Sequence, residues 1–251
     1  MADNRISIDR ILSRLDEHFA KNDYISAQKH LLYWLDESRA QGDGRVELLL
    51  LNELIGLKRK QAEKEKALFY VDLAISKVTE LGAENNLGGA TTFLNAGTAY
   101  KAFGMSEKAI PVFEKAQKIY ERELESGDRR LGGLYNNMAL ALVDLERYSE
   151  AYECYERALS VMQGCENGEL EVAITYLNIA SAKELEQGIE MADEQIQAYL
   201  EKSRALIENY EKRDGYYAFV CEKCAPTFGY YGHFYYENEL KERARRIYEG
   251  N

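Results

Sequence analysis

Proline is nearly absent from this chain: there are 2 in 251 residues, where average usage of ~5% would supply about a dozen. Loops and turns are where proline collects, while helix interiors and central strands exclude it, so the deficit points to long helices joined by short turns. Cysteine is sparse too. Cys154, Cys165, Cys221 and Cys224 are too few for the disulfide framework of a small secreted domain. No apolar run approaches the ~18 residues of a membrane span, and the four leucines from Leu48 to Leu51 fall far short. The amino end, MADNRISIDRIL, lacks the apolar stretch of a signal peptide. Low-complexity tracts are missing, which excludes collagenous, disordered and proline-rich linker classes. These absences lead us to expect a soluble protein of a reducing, cytoplasmic compartment.

Positive charge is in deficit as well. Lys plus Arg total 32 against 43 Asp plus Glu, a formal net charge of −11. So acidic a surface repels phosphate backbones, and general nucleic-acid binding would need a segregated basic patch. The best candidate, Lys58, Arg59 and Lys60, is diluted within a few residues and reads as a solvated helix face.

What the chain does contain is repetition. EKALFYVDLAISK from Glu65, EKAIPVFEKAQKI from Glu107 and SEAYECYERALSV from Ser149 align through Ala67-Val71-Ala74, Ala109-Phe113-Ala116 and Ala151-Tyr155-Ala158, 42 residues apart both times. Offsets of four and three put each trio on one helical face, and the alanines admit a neighbouring backbone. Upstream of these signatures LNAGTAY, NNMALAL and LNIASAK align through Asn95, Asn137 and Asn178. Between the two patterns lies a turn, with Ser106 and Ser149 as candidate N-caps. Each unit is therefore helix, turn, helix. Pro111 and Pro226 are expected near helix starts, where a missing N–H costs least.

Helix, turn, helix at this spacing resembles the tetratricopeptide repeat. The family's consensus positions fall on Phe93, Ala96, Gly97, Tyr100, Ala109, Phe113 and Ala116, then on Tyr135, Met138, Ala139, Leu142, Ala151, Tyr155 and Ala158, and again on Phe228, Tyr231, Gly232, Tyr235, Ala244 and Tyr248. The family period is about 34, so these units are lengthened, as in kinesin light chains and bacterial peptide-sensing regulators. Leu15, Ala27, Leu31 and Trp34 fit a first unit, and the helices around Tyr176–Leu185 and Glu194–Tyr210 a fifth, with a degenerate turn at GIEMADEQ. The reading is an all-α fold of about six hairpins in a single domain, 1–251, with units over 5–40, 45–82, 88–126, 129–165, 169–211 and 216–250.

The resemblance implies a right-handed superhelical solenoid of stacked antiparallel helix pairs, whose first helices line a concave groove. It also implies a function, a non-catalytic scaffold holding an extended partner segment. In peptide-binding members an Asn at the position of Asn95, Asn137 and Asn178 bonds the ligand backbone, and an amide suits this because it donates and accepts at once. Further groove candidates are Asn52, Glu53, Lys60, Thr98, Lys101, Asn136, Leu140, Asp144 and Ser181, with Tyr230 and His233 in the last unit. Both charge signs occur among them, unlike the basic clamp of chaperone-binding relatives. Tyr100, Tyr155, Tyr176 and Tyr248 are expected to pack, with their hydroxyls at the rim.

Chemistry of other kinds is thinly represented. Cys221-Glu-Lys-Cys224 puts two thiols on one helix face, which suits zinc or redox cycling. A closed zinc site needs four ligands, and with His233 there are at most three, so two buried cysteines are the simpler reading. His18, His30 and His233 are scattered, no nucleophile elbow occurs, and the acidic clusters lie on charged faces. We expect no catalytic residues, no metal and no cofactor. The alternatives are a homo-oligomeric assembly protein with no free groove ligand, and a metal or redox protein acting through Cys221 and Cys224.

Overall fold

The structure, a computed structural model, describes residues 7–250; residues 5 and 6 of the first expected unit lie outside that range. Among the described residues twelve α-helices follow one another: α1 (Ile8–Ala20), α2 (Tyr24–Ala40), α3 (Gly44–Lys60), α4 (Lys64–Glu80), α5 (Leu87–Ala102), α6 (Ser106–Glu123), α7 (Arg129–Asp144), α8 (Tyr148–Gln163), α9 (Glu169–Gln187), α10 (Ile189–Asn209), α11 (Gly215–Tyr230) and α12 (Phe234–Glu249). No strand occurs among the described residues. Consecutive helices pair into six hairpins, and the chain divides into two compact units, Met1–Glu123 and Leu124–Asn251, of three hairpins each. No helix among the described residues is long and apolar enough to cross a membrane.

One turn is used over and over. In five hairpins three residues join the helices, and the middle one is left-handed: Asn22, Ala62, Gly104, Glu146 or Gly232. The residue after it sends its N–H back to the last full turn, as in Asp23 to His18, Glu63 to Lys58, Met105 to Tyr100, Arg147 to Leu142 and His233 to Phe228. This is a Schellman closure, which satisfies carbonyls that the helix end would leave bare. It also relocates the caps. The closing residue stands where the next helix begins, so Ser106 and Ser149 are helical residues and not N-caps.

Hairpin five is the exception. The GIEMADEQ turn contracts to Gly188 alone, at φ 82 and ψ 154, a region essentially reserved for glycine. The rest of that segment, Ile189 to Gln195, is about the first two turns of α10.

The signature trios form the seam inside each hairpin. Ala67, Val71 and Ala74, then Ala109, Phe113 and Ala116, then Ala151, Tyr155 and Ala158 are all buried. Tyr248 departs from the pattern and is 48% exposed. In the second unit a continuous core runs from Leu170 and Leu177 through Ile196 and Leu200 to Phe228 and Leu240. Stacking of this kind is how hairpins that cannot bury a face alone become stable.

Two expectations need correction. Pro226 lies well inside α11, because that helix starts at Gly215, where the Asp214 carboxylate accepts the N–H groups of Tyr216 and Tyr217. Glu222, whose carbonyl loses its partner, is exposed along with Pro226, so water can supply the missing bond. Lys58 is not part of a solvated face. It is buried, and its ammonium donates to Gln28 of α2, to Gln61 at 2.9 Å and to Glu63 at 2.8 Å. Three acceptors compensate the buried charge.

Candidate functional site

The amide residues singled out by the repeats lie on the first helices of their hairpins. In the first unit Asn52 of α3 is buried, and its Nδ2 donates to the Leu48 carbonyl and to the Thr92 hydroxyl of α5, both at 2.9 Å. Asn95 of α5 then donates to the Asn52 Oδ1 at 2.9 Å. Both N–H groups of Asn52 are spent, so this residue joins α3 to α5 and positions Asn95. Asn95 keeps its carbonyl oxygen and one N–H without partners among the described residues. Next to Asn52 in the sequence, Glu53 is half-buried, and burial together with Asp16 of α1 raises its carboxyl above the usual range.

The second unit repeats the device. Asn178 of α9 donates to the Asn136 Oδ1 of α7 at 3.1 Å. Asn137 turns back on its own helix and donates to the Gly133 carbonyl at 2.8 Å. Asn137 and Asn178 are half-buried, and each keeps a carbonyl oxygen and one N–H without partners among the described residues.

A family model described as tetratricopeptide repeat matches residues 90–123 and 133–161, which are the α5–α6 and α7–α8 hairpins. These two hairpins carry tetratricopeptide repeats. BtubC (BKLC) from P. vanneervenii shares its fold at a TM-score of 0.67 with 20% identity, over 82% of this chain and 82% of that one. A kinesin light chain-type structure from Podosopora anserina, with nearly identical TPR-like repeats, aligns at 0.54 with 15% identity, over 80% of this chain and 94% of that one. Likeness at these identities establishes a solenoid of tetratricopeptide-like hairpins. No curated protein matches the chain. The tetratricopeptide fold supports a protein-interaction scaffold in general.

The remaining groove candidates of the repeat array scatter. Lys101 is half-buried on α5, Asp144 ends α7 in solvent, and Thr98 bonds its own helix at Leu94. Lys60 rests its ammonium over the Tyr24 and Phe19 rings, 5.0 and 6.0 Å from their centroids. Tyr230 is exposed and donates to Glu184 of α9 at 2.7 Å, while Tyr231 donates to the other oxygen of that carboxylate. His233 caps α12, with its ring against Phe228 and its Nε2 3.0 Å from Gln197 of α10. It therefore lies against a second helix, away from the Asn positions. Glu184 belongs to no repeat position, so periodicity could not have found it.

Cys221 and Cys224 are buried, and burial raises both thiols, Cys224 up to about 12. A thiol kept protonated is a poor nucleophile and a poor ligand. Among the described residues no group of three or more His, Cys, Asp or Glu side chains is arranged to hold a metal. A cavity of about 350 Å³ lies among Met162, Cys165, Val172, Tyr176, Lys202 and Leu206, on α8, α9 and α10 and not on the Asn-bearing face.

Proposed function

We propose that this protein is a non-catalytic scaffold that holds an extended segment of a partner along its first-helix faces. Asn95, Asn137 and Asn178 would bond the segment's backbone. The observation that supports this most is their remaining hydrogen-bond capacity. Each spends one N–H inside the protein, which fixes the amide plane, and keeps a carbonyl oxygen and a second N–H. An extended backbone offers the complementary N–H and C=O. Asn52 and Asn136 each accept from the next amide within their own unit. The cytoplasmic location belongs to the same proposal, supported by the low cysteine content.

A peptide library on a solid support tests this reading. Asn137→Ala removes only a bond to the residue's own helix, so helicity and Tm should hold. Peptides captured by the native chain should bind the variant about tenfold more weakly, the loss of one backbone hydrogen-bond pair. Capture of no peptide, or equal capture by both proteins, would sink the proposal.

A further inference from the structure

A second surface stands out on the edge of the second unit, where the α9–α10 and α11–α12 turns lie side by side. Leu185, Ile189 and Met191 surround the first turn; Tyr230, Phe234 and Tyr235 surround the second. All six are exposed, Met191 at 79% and Tyr235 at 95%. Their neighbourhood is fixed from two sides. Glu184 receives the hydroxyls of Tyr230 and Tyr231 at 2.7 Å, and Gln197 lies 3.0 Å from His233. The α7–α8 turn joins the same edge, since Tyr148 donates to the Leu185 carbonyl at 3.1 Å. Single exposed apolar side chains are ordinary, but a contiguous group built from aromatics and methionine marks an interaction surface.

The charge left unpaired around this group is negative. Glu190, Asp193, Glu194 and Glu239 are exposed on the two helices that leave the turns, and Glu190 and Glu194 have no partner among the described residues. The cations of the neighbouring elements are committed elsewhere: Lys183 to Glu186 and to the face of Tyr152, 3.8 Å from its centroid, and Arg147 to Glu150. We propose that this edge docks a basic protein segment that carries apolar anchors. The anchors would cover Met191, Phe234 and Tyr235, and lysines or arginines would pair with Glu190 and Glu194. A second copy of the chain fits poorly, because it brings the same carboxylates and a net charge of −11. Anionic membranes are repelled for the same reason.

The test uses the full chain with two synthetic amphipathic helices, one of leucine and lysine and one of leucine and glutamate. The lysine peptide should bind and the glutamate peptide should not. Combining Met191→Ser, Phe234→Ser and Tyr235→Ser should weaken binding by at least about tenfold, the scale of losing interface anchors. Tm should hold, because the replaced side chains are exposed. Glu190→Lys with Glu194→Lys should weaken binding as well, whereas Asn137→Ala should leave it unchanged, which separates this edge from the Asn-bearing face. Absence of binding, equal binding of both peptides, or full affinity in the triple variant would overturn the proposal. So would self-association of the native chain that the triple variant abolishes, since a second copy would then occupy the edge.

Discussion

Tyr155 fills the seam between α7 and α8, fully enclosed, yet its hydroxyl has no hydrogen-bond partner among the described residues. Burial raises its phenol well above the ordinary value, so the group is a neutral O–H at neutral pH. Leaving a hydroxyl dry costs about 1–3 kcal/mol, whereas the ring itself contributes packing that Phe would keep. Tyr155→Phe should therefore be neutral or stabilise by about 1 kcal/mol, read as an unchanged or higher Tm in thermal denaturation. A clear loss of Tm would mean that the hydroxyl has a bridging partner. Asn52 makes the opposite case: its N–H groups are both matched, at 2.9 Å, and its oxygen receives Asn95. Fully satisfied, it serves as an internal strut that positions Asn95, the amide proposed above to meet a ligand.

Between elements, α5 and α6 approach closely at Gly97. A Cβ there would sit 2.5 to 2.8 Å from ring atoms of Phe113, a side chain that is itself fully buried and cannot swing away. Gly97→Ala removes the helix penalty of glycine, worth about 1 kcal/mol, but overpacking of a tight core costs about 1–3 kcal/mol. The steric term should win, with a lower urea midpoint at unchanged slope; a higher midpoint would show that α5 and α6 separate freely. Gly97 was legible in the sequence, as were the Ala-large-Ala seams, because a repeated spacing betrays a repeated contact. Lys58 was not legible, since its three acceptors come from α2 and from the turn ahead and leave no local pattern. Pro226 misled because a proline was expected near a helix start, whereas Asp214 starts this helix at Gly215. The one-residue turn at Gly188 breaks the three-residue rule of the other hairpins, so alignment to them placed it wrongly. At the candidate site the Asn register was visible, but which amides were already spent depends on side-chain directions that spacing does not encode.

Charge acts on the molecule as a whole. The chain carries an excess of 11 negative charges, and self-repulsion on this scale weakens the compact state. Opposing it are many ion pairs, but most are exposed pairs one helical turn apart, such as Arg14 with Glu17, Arg147 with Glu150 and Arg245 with Glu242. Pairs of this kind contribute about 0–1 kcal/mol each and often nothing measurable. Glu47 differs, being buried between Arg39 and Lys77 at 2.8 Å from each; although burial favours its neutral form, the hydrogen bonds from Lys77 and Arg39 prevail and hold its carboxyl below the usual range. Salt screens that buried group least. Between about 10 mM and about 150 mM ionic strength the screening length falls from ~30 to ~8 Å, which removes long-range repulsion across the surface while the short pairs lose little. Tm should then rise by a few degrees over that range in differential scanning calorimetry at neutral pH. A falling Tm would show that the exposed pairs outweigh the net charge, and the solenoid would then be held by its surface electrostatics as well as by its alanine seams.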